Sequence, residues 1–188
     1  MEIPEIQDLV VDPNILGVVE NYLGSIPIID YCESWWSFPS KHEDEKAAQM
    51  WHFDMDRPKW IKVFFFLNDC NSQNGAHQFI KKTHKIFGIP RSIRRKGYSR
   101  IDNDIIKKFF PNNEIISMNA KAGDILFEDT IGLHKGKKLK KGNRLVLQFQ
   151  YSSSLFGSKN QLIKMPVNKS VKFENFIKKN NYSLFNFH

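Results

Sequence analysis

The run Trp51-His52-Phe53-Asp54 places an imidazole and a carboxylate two positions apart. In an extended strand the side chains at i and i+2 share a face, so His52 and Asp54 point the same way with their heads close together. Such a pair converges on a point that a divalent cation could fill if a third donor reached it. Gly132-Leu133-His134, which follows an apolar run at residues 124–128, offers that donor. Two histidines and one carboxylate on one side of an ion leave other positions open, the arrangement expected of non-haem Fe(II) oxygenases. The plainer reading of the triplet is a strand histidine hydrogen-bonded to its neighbouring carboxylate, and the triplet by itself does not separate the two.

Arg144 adds an independent signal. It lies ten positions after His134, follows a turn at Lys141-Gly142-Asn143 and opens the next apolar run. It is therefore expected beside His134 on the adjacent strand, where a guanidinium can hold a carboxylate by a planar two-point contact that lysine makes less well. Strand alternation puts Arg144, Val146 and Gln148 on the interior side and Leu145, Leu147 and Phe149 on the other.

The remaining histidines read as ordinary residues. Neither His77 nor His84 has a carboxylate two residues away, and His84 within Lys81-Lys82-Thr83-His84-Lys85 reads as a turn-fixing residue. His42 sits in a charged, solvated stretch. Lys62 would share a strand face with Phe64 and Phe66, either meeting a carboxylate or snorkelling to water.

The elements that must hold these side chains in place are mostly strands. After a short amphipathic helix that starts at an Asp12 cap with Pro13 next and ends at Gly24, short aromatic and β-branched runs occur at 27–31, 35–38, 48–54, 60–67, 77–80, 115–119, 124–128 and 145–151. Their turn punctuation predicts an all-β fold with flanking helices, a sandwich or barrel. An insertion of about 86–115, with a helix at 102–110, interrupts the rhythm and reads as a lid. A further helix is expected near 171–178. The whole chain, 1–188, reads as one domain with a core at about 35–151.

Composition narrows the classes. Sixteen Phe, five Tyr and four Trp favour a folded, aromatic core over disorder. No apolar run approaches the ~18–20 residues that span a bilayer, so no membrane role and a cytoplasmic location are expected. Cys32 and Cys70 read as free thiols. The net charge of +8 is distributed, with no recognition motif for nucleic acid. Basic residues at Arg91, Arg94, Arg95, Lys96 and Arg100, and the run Lys135, Lys137, Lys138, Lys140 and Lys141, read either as solvated surface or as a rim that attracts an anionic substrate.

The segments WHFD, NGAHQFIKKTHK, KAGDILFEDTIGLHKG and GNRLVLQFQY together resemble the phytanoyl-CoA dioxygenase family, in order and in spacing, over about residues 35–151. The resemblance implies a double-stranded β-helix (a cupin-like jelly roll), Fe(II) held by His52, Asp54 and His134, and 2-oxoglutarate with its distal carboxylate on Arg144. It also implies Phe64 as a wall of the cosubstrate pocket, where some relatives carry Trp. Relatives that halogenate lack the carboxylate ligand, so the presence of Asp54 implies hydroxylation of a small molecule. The chain departs from the family in its short stretch before His52 and in Phe53, where relatives often have Gln. Two other readings remain: a cupin-like enzyme using the same ligands without oxidation, and a non-catalytic β-sandwich binding protein.

Overall fold

A computed structural model of the chain describes residues 1–40, 48–85, 87–157, 162–184 and 186–188. Its elements run α1 (Pro4–Val10), α2 (Pro13–Leu23), β1 (Ile28–Ser37), β2 (Trp60–Phe66), β3 (His77–Ile80), α3 (Arg91–Arg94), α4 (Asn103–Phe109), β4 (Ile115–Met118), β5 (Ile125–Glu128), β6 (His134–Gly136), β7 (Arg144–Ser152) and α5 (Val171–Ile177). One sheet has the order β1-β7-β2-β5 and the other β4-β3-β6. This is the expected mostly-β, jelly-roll class with flanking helices, and the two sheets are not closed into a barrel.

The chain divides into two compact units. The first comprises Met1–Glu33, Asp56–Val63 and Gln148–His188. Here the Asp12 side chain accepts from the Asn14 amide at 3.0 Å, Pro13 occupies the first turn, and Gly24 ends α2 at φ 72°. That left-handed conformation suits a residue without Cβ. Ile15, Val19 and Leu23 bury one stripe of the helix. A buried ion pair also sits in this unit. The Asp30 carboxylate accepts from Arg57 Nε at 2.8 Å, Arg57 Nη2 at 2.7 Å and Gln150 Nε2 at 2.9 Å, so both charges have the partners that burial demands. Lys62, which the sequence left between two readings, meets Asp56 at 3.4 Å.

The second unit, Ser34–Met55 and Phe64–Leu147, carries every candidate site residue. A cluster of Trp51, Phe53, Ile80, Ile89, Ile93, Ile101, Ile106, Phe110 and Leu133 forms one core, and Phe64, Phe66, Cys70 and Val146 form another. The segment read as a lid thus sends Ile93, Ile101, Ile106 and Phe110 into the first core. Four expectations need correction. The runs at 27–31 and 35–38 are one continuous strand, β1. Residues 48–54 do not form a regular strand; they meet β6 through a single bridge, His52 opposite His134. A helix at Pro4–Val10 was not expected at all. Finally, Arg144 is not on the strand adjacent to His134, because β6 pairs with β3 in one sheet and β7 lies in the other.

Candidate metal centre

His52 and His134 are brought together by backbone pairing. The His52 amide donates to the His134 carbonyl at 3.1 Å, the His134 amide donates back at 2.9 Å, and the Asp54 amide donates to the Thr130 carbonyl at 2.8 Å. The alternation argument then holds locally even without a regular strand. Asp54 turns to the same side as His52, with Oδ1 4.0 Å from His52 Nε2 and Oδ2 3.7 Å from His134 Nε2. All three side chains are buried, and one donor atom from each lies within 4.8 Å of the others.

The hydrogen bonds fix which nitrogens face the centre. His52 Nδ1 contacts the Met50 carbonyl and His134 Nδ1 the Gly132 carbonyl, each at 2.9 Å. A carbonyl only accepts, so each Nδ1 carries a proton, and Nε2 is the ring nitrogen that each histidine turns to Asp54. Burial, followed by the neighbouring His134, pushes the His52 pKa down to about 3, against the opposing pull of Asp54. Two imidazoles presenting Nε2 beside a carboxylate are a donor set suited to a divalent cation. The donors present therefore fit a metal ion.

Arg144 lies deep in the same unit. Its guanidinium donates to the Gly75 carbonyl and to Ser37 Oγ at 3.2 Å, while Nε is buried without a hydrogen-bond partner. Burial draws its pKa below the ordinary arginine value, the nearby Cys70 thiol acting the other way. Among the described residues no carboxylate pairs with it. A buried guanidinium held by one carbonyl and one hydroxyl keeps capacity for an anion. Gly136 makes room for it, since a Cβ there would lie 2.9 Å from Nη2 and 3.0 Å from Nη1. Phe64 packs with Val146 and Cys70, and its ring lies 5.5 Å from that of His77. The predicted contrast between the two faces of β7 is muted, because Leu147 and Phe149 are as buried as Arg144 and Val146. Both sides of this strand are covered.

Sequence reasoning passed over His77. It is buried, bonded through Nε2 to Glu128 at 2.7–2.9 Å, and stacked on His134 with centroids 5.8 Å apart at 18°. The pairing register could have revealed it, since His77 lies opposite Gly136, two residues from His134. The turn at 81–85 is fixed by Thr83, not by the exposed His84. Thr83 Oγ1 donates to the Ile80 carbonyl at 2.7 Å and accepts from the Leu133 amide at 2.8 Å, bracing the approach to His134. Lys135 is likewise no solvated turn residue: it is buried, bonded to Asn103 at 2.8 Å and set over the Trp51 ring. His42 and its loop lie outside the described residues.

This fold and site define an enzyme of the non-haem iron, 2-oxoglutarate-dependent dioxygenase type. Residues 4–140 match the phytanoyl-CoA dioxygenase (PhyH) family, and the chain belongs to that family. None of the curated protein sequences matches it significantly. Among solved structures it is similar to HygX from Streptomyces hygroscopicus with iron bound, at 16% identity and a TM-score of 0.60, over 87% of this chain and 72% of that one. HygX has also been solved with nickel, 2-oxoglutarate and hygromycin B, at 15% identity and a TM-score of 0.58, over 87% and 69% of the two chains. The 2-oxoglutarate-dependent epimerase SnoN from nogalamycin biosynthesis matches at 18% identity and a TM-score of 0.59, over 78% of this chain and 57% of that one. At these identities the likeness concerns the fold. No helix among the described residues is long and apolar enough to cross a membrane.

Proposed function

We propose that the chain is an Fe(II)- and 2-oxoglutarate-dependent hydroxylase of a small molecule, with the metal on His52, Asp54 and His134 and the cosubstrate's distal carboxylate on Arg144. The observation that carries the reading is the pair of carbonyl-anchored imidazoles whose Nε2 atoms face one buried carboxylate. Loaded with iron and 2-oxoglutarate and supplied with dioxygen, a centre of this kind would couple oxidative decarboxylation of the cosubstrate, to succinate and CO2, with transfer of the second oxygen atom into a substrate C–H bond.

The chain's own contribution is placement and exclusion of water. The Met50 and Gly132 carbonyls hold the two rings with Nδ1 outward and Nε2 toward Asp54, the orientation a ligating imidazole needs. Asp54 supplies the anionic ligand whose presence favours hydroxylation. Arg144, with an unpartnered Nε and two anchored nitrogens, receives a carboxylate without first breaking an ion pair. Phe64, packed with Val146 and 5.5 Å from the His77 ring, would supply an apolar wall of the cosubstrate pocket, and His77, braced by Glu128, flanks His134. The neighbours' iron and 2-oxoglutarate support the same assignment.

Metal analysis after anaerobic loading tests it. One Fe(II) should be retained per chain, and Asp54→Ala should lose both the metal and hydroxylation. Equal retention and equal activity in the variant would overturn the ligand assignment.

A further inference from the structure

The basic residues between 91 and 100 are not equivalent. Arg91, Arg94, Arg95 and Lys96 are exposed on or beside α3, where charges are well hydrated and weakly discriminating. Arg100 is only partly exposed, and its Nη1 is buried with no hydrogen-bond partner. No carboxylate is paired with it among the described residues, whereas Arg57 has Asp30.

Its position is fixed relative to the metal centre. Ile101 donates its amide to the Trp51 carbonyl at 2.8 Å, forming a bridge one residue from His52. The Arg100 guanidinium lies over the Tyr98 ring, 5.2 Å from its centroid. That ring in turn meets His52 edge-on at 6.3 Å and 81°. An arginine stacked on an aromatic face is held in orientation while its N–H edge stays available to an acceptor. Tyr98 is 57% exposed, so the pair it forms with Arg100 reaches solvent on its outer side.

We infer that Arg100, stacked on Tyr98, is the residue that receives an anionic head group of the substrate, a carboxylate or a phosphate, beside the metal centre. This rests on the proposed function, which already commits Arg144 to the cosubstrate. It also narrows the electrostatic reading of the sequence from a diffuse basic rim to one side chain. The ligand class follows from geometry: a planar fork with an unpaired buried nitrogen matches a two-oxygen anion, gains at most a single weaker bond from an alcohol and repels an ammonium.

Head-group-matched probes test the inference. Protein loaded with Ni(II) and saturating 2-oxoglutarate is titrated with hexanoate, hexyl phosphate, hexanol and hexylamine by ligand-observed NMR. The two anions should bind at least 10-fold more tightly than the alcohol or amine, the stronger of the two identifying carboxylate or phosphate. Arg100→Gln should weaken anion binding about 10-fold and leave 2-oxoglutarate affinity unchanged, whereas Arg94→Gln should alter neither. Anion binding by Arg100→Gln equal to the parent, hexanol binding as tightly as hexanoate, or a parallel loss of 2-oxoglutarate would each overturn it. Failure of the cofactor reading would look different: the parent would take up neither Ni(II) nor 2-oxoglutarate, while metal-free parent and Arg100→Gln would still differ in anion binding.

Discussion

Gly136→Ala perturbs the proposed cosubstrate contact while leaving each proposed metal ligand in place. The added methyl carbon would sit 2.9 Å and 3.0 Å from the two terminal nitrogens of Arg144 and 3.4 Å from its Cζ. Comfortable contacts of this kind lie near ~3.5 Å or beyond, so the guanidinium must withdraw by roughly half an ångström. Its bond to Ser37 Oγ is already 3.2 Å long, close to the ~3.5 Å at which such a contact ceases to be a hydrogen bond. The realigned fork can then offer a carboxylate one good bond instead of two. A hydrogen bond to a charged group contributes about 1.5–3 kcal/mol, so the 2-oxoglutarate Kd should rise roughly 10- to 100-fold. Calorimetric titration of anaerobic, Ni(II)-loaded protein measures it, with Arg144→Lys as comparator, expected to weaken binding about 10-fold or more. Metal affinity should barely move in either variant. An unchanged 2-oxoglutarate Kd in Gly136→Ala would mean that the guanidinium seen beside Gly136 is not the group that holds the cosubstrate.

Two further substitutions probe the framework. Thr83→Val keeps the shape but leaves the buried Leu133 amide without its acceptor, which should cost about 1–3 kcal/mol in urea unfolding and loosen metal binding through His134; an unchanged midpoint would dismiss the brace. Asp30→Ala strips the buried Arg57 of its carboxylate and should cost about 3–5 kcal/mol without changing metal stoichiometry in whatever folded fraction remains, and a loss under 1 kcal/mol would show that water replaces the partner.

Local signals carried well from sequence to structure. The Asp12 cap, Pro13 and Gly24 delimit α2 as expected, and the run at 77–80 is β3 residue for residue. The convergence of His52 and Asp54 was legible because i and i+2 share a side even where only one bridge forms, and the structure groups them with His134. What failed was pairing. Ten residues separate His134 from Arg144, and adjacency on one sheet was the simplest inference. A jelly roll instead sends the chain to its other sheet, and Arg144 gains proximity to Gly136 by reaching, not by strand pairing. His77 was missed for the same reason. Its importance lies in being opposite Gly136 and bonded to Glu128, 51 residues away, and no local pattern encodes either fact. Arg100 looked like one cation among five until the Trp51–Ile101 bridge set it beside His52.

The central claim is that the buried His52, Asp54 and His134 cluster turns over 2-oxoglutarate. Succinate formation by the purified protein, with Fe(II), 2-oxoglutarate and dioxygen, measures this even before a substrate is known. The account predicts slow succinate release that requires Fe(II), stops under anaerobic conditions and disappears in His134→Ala. A protein that retains one Fe(II) per chain yet neither binds 2-oxoglutarate nor forms succinate would contradict it.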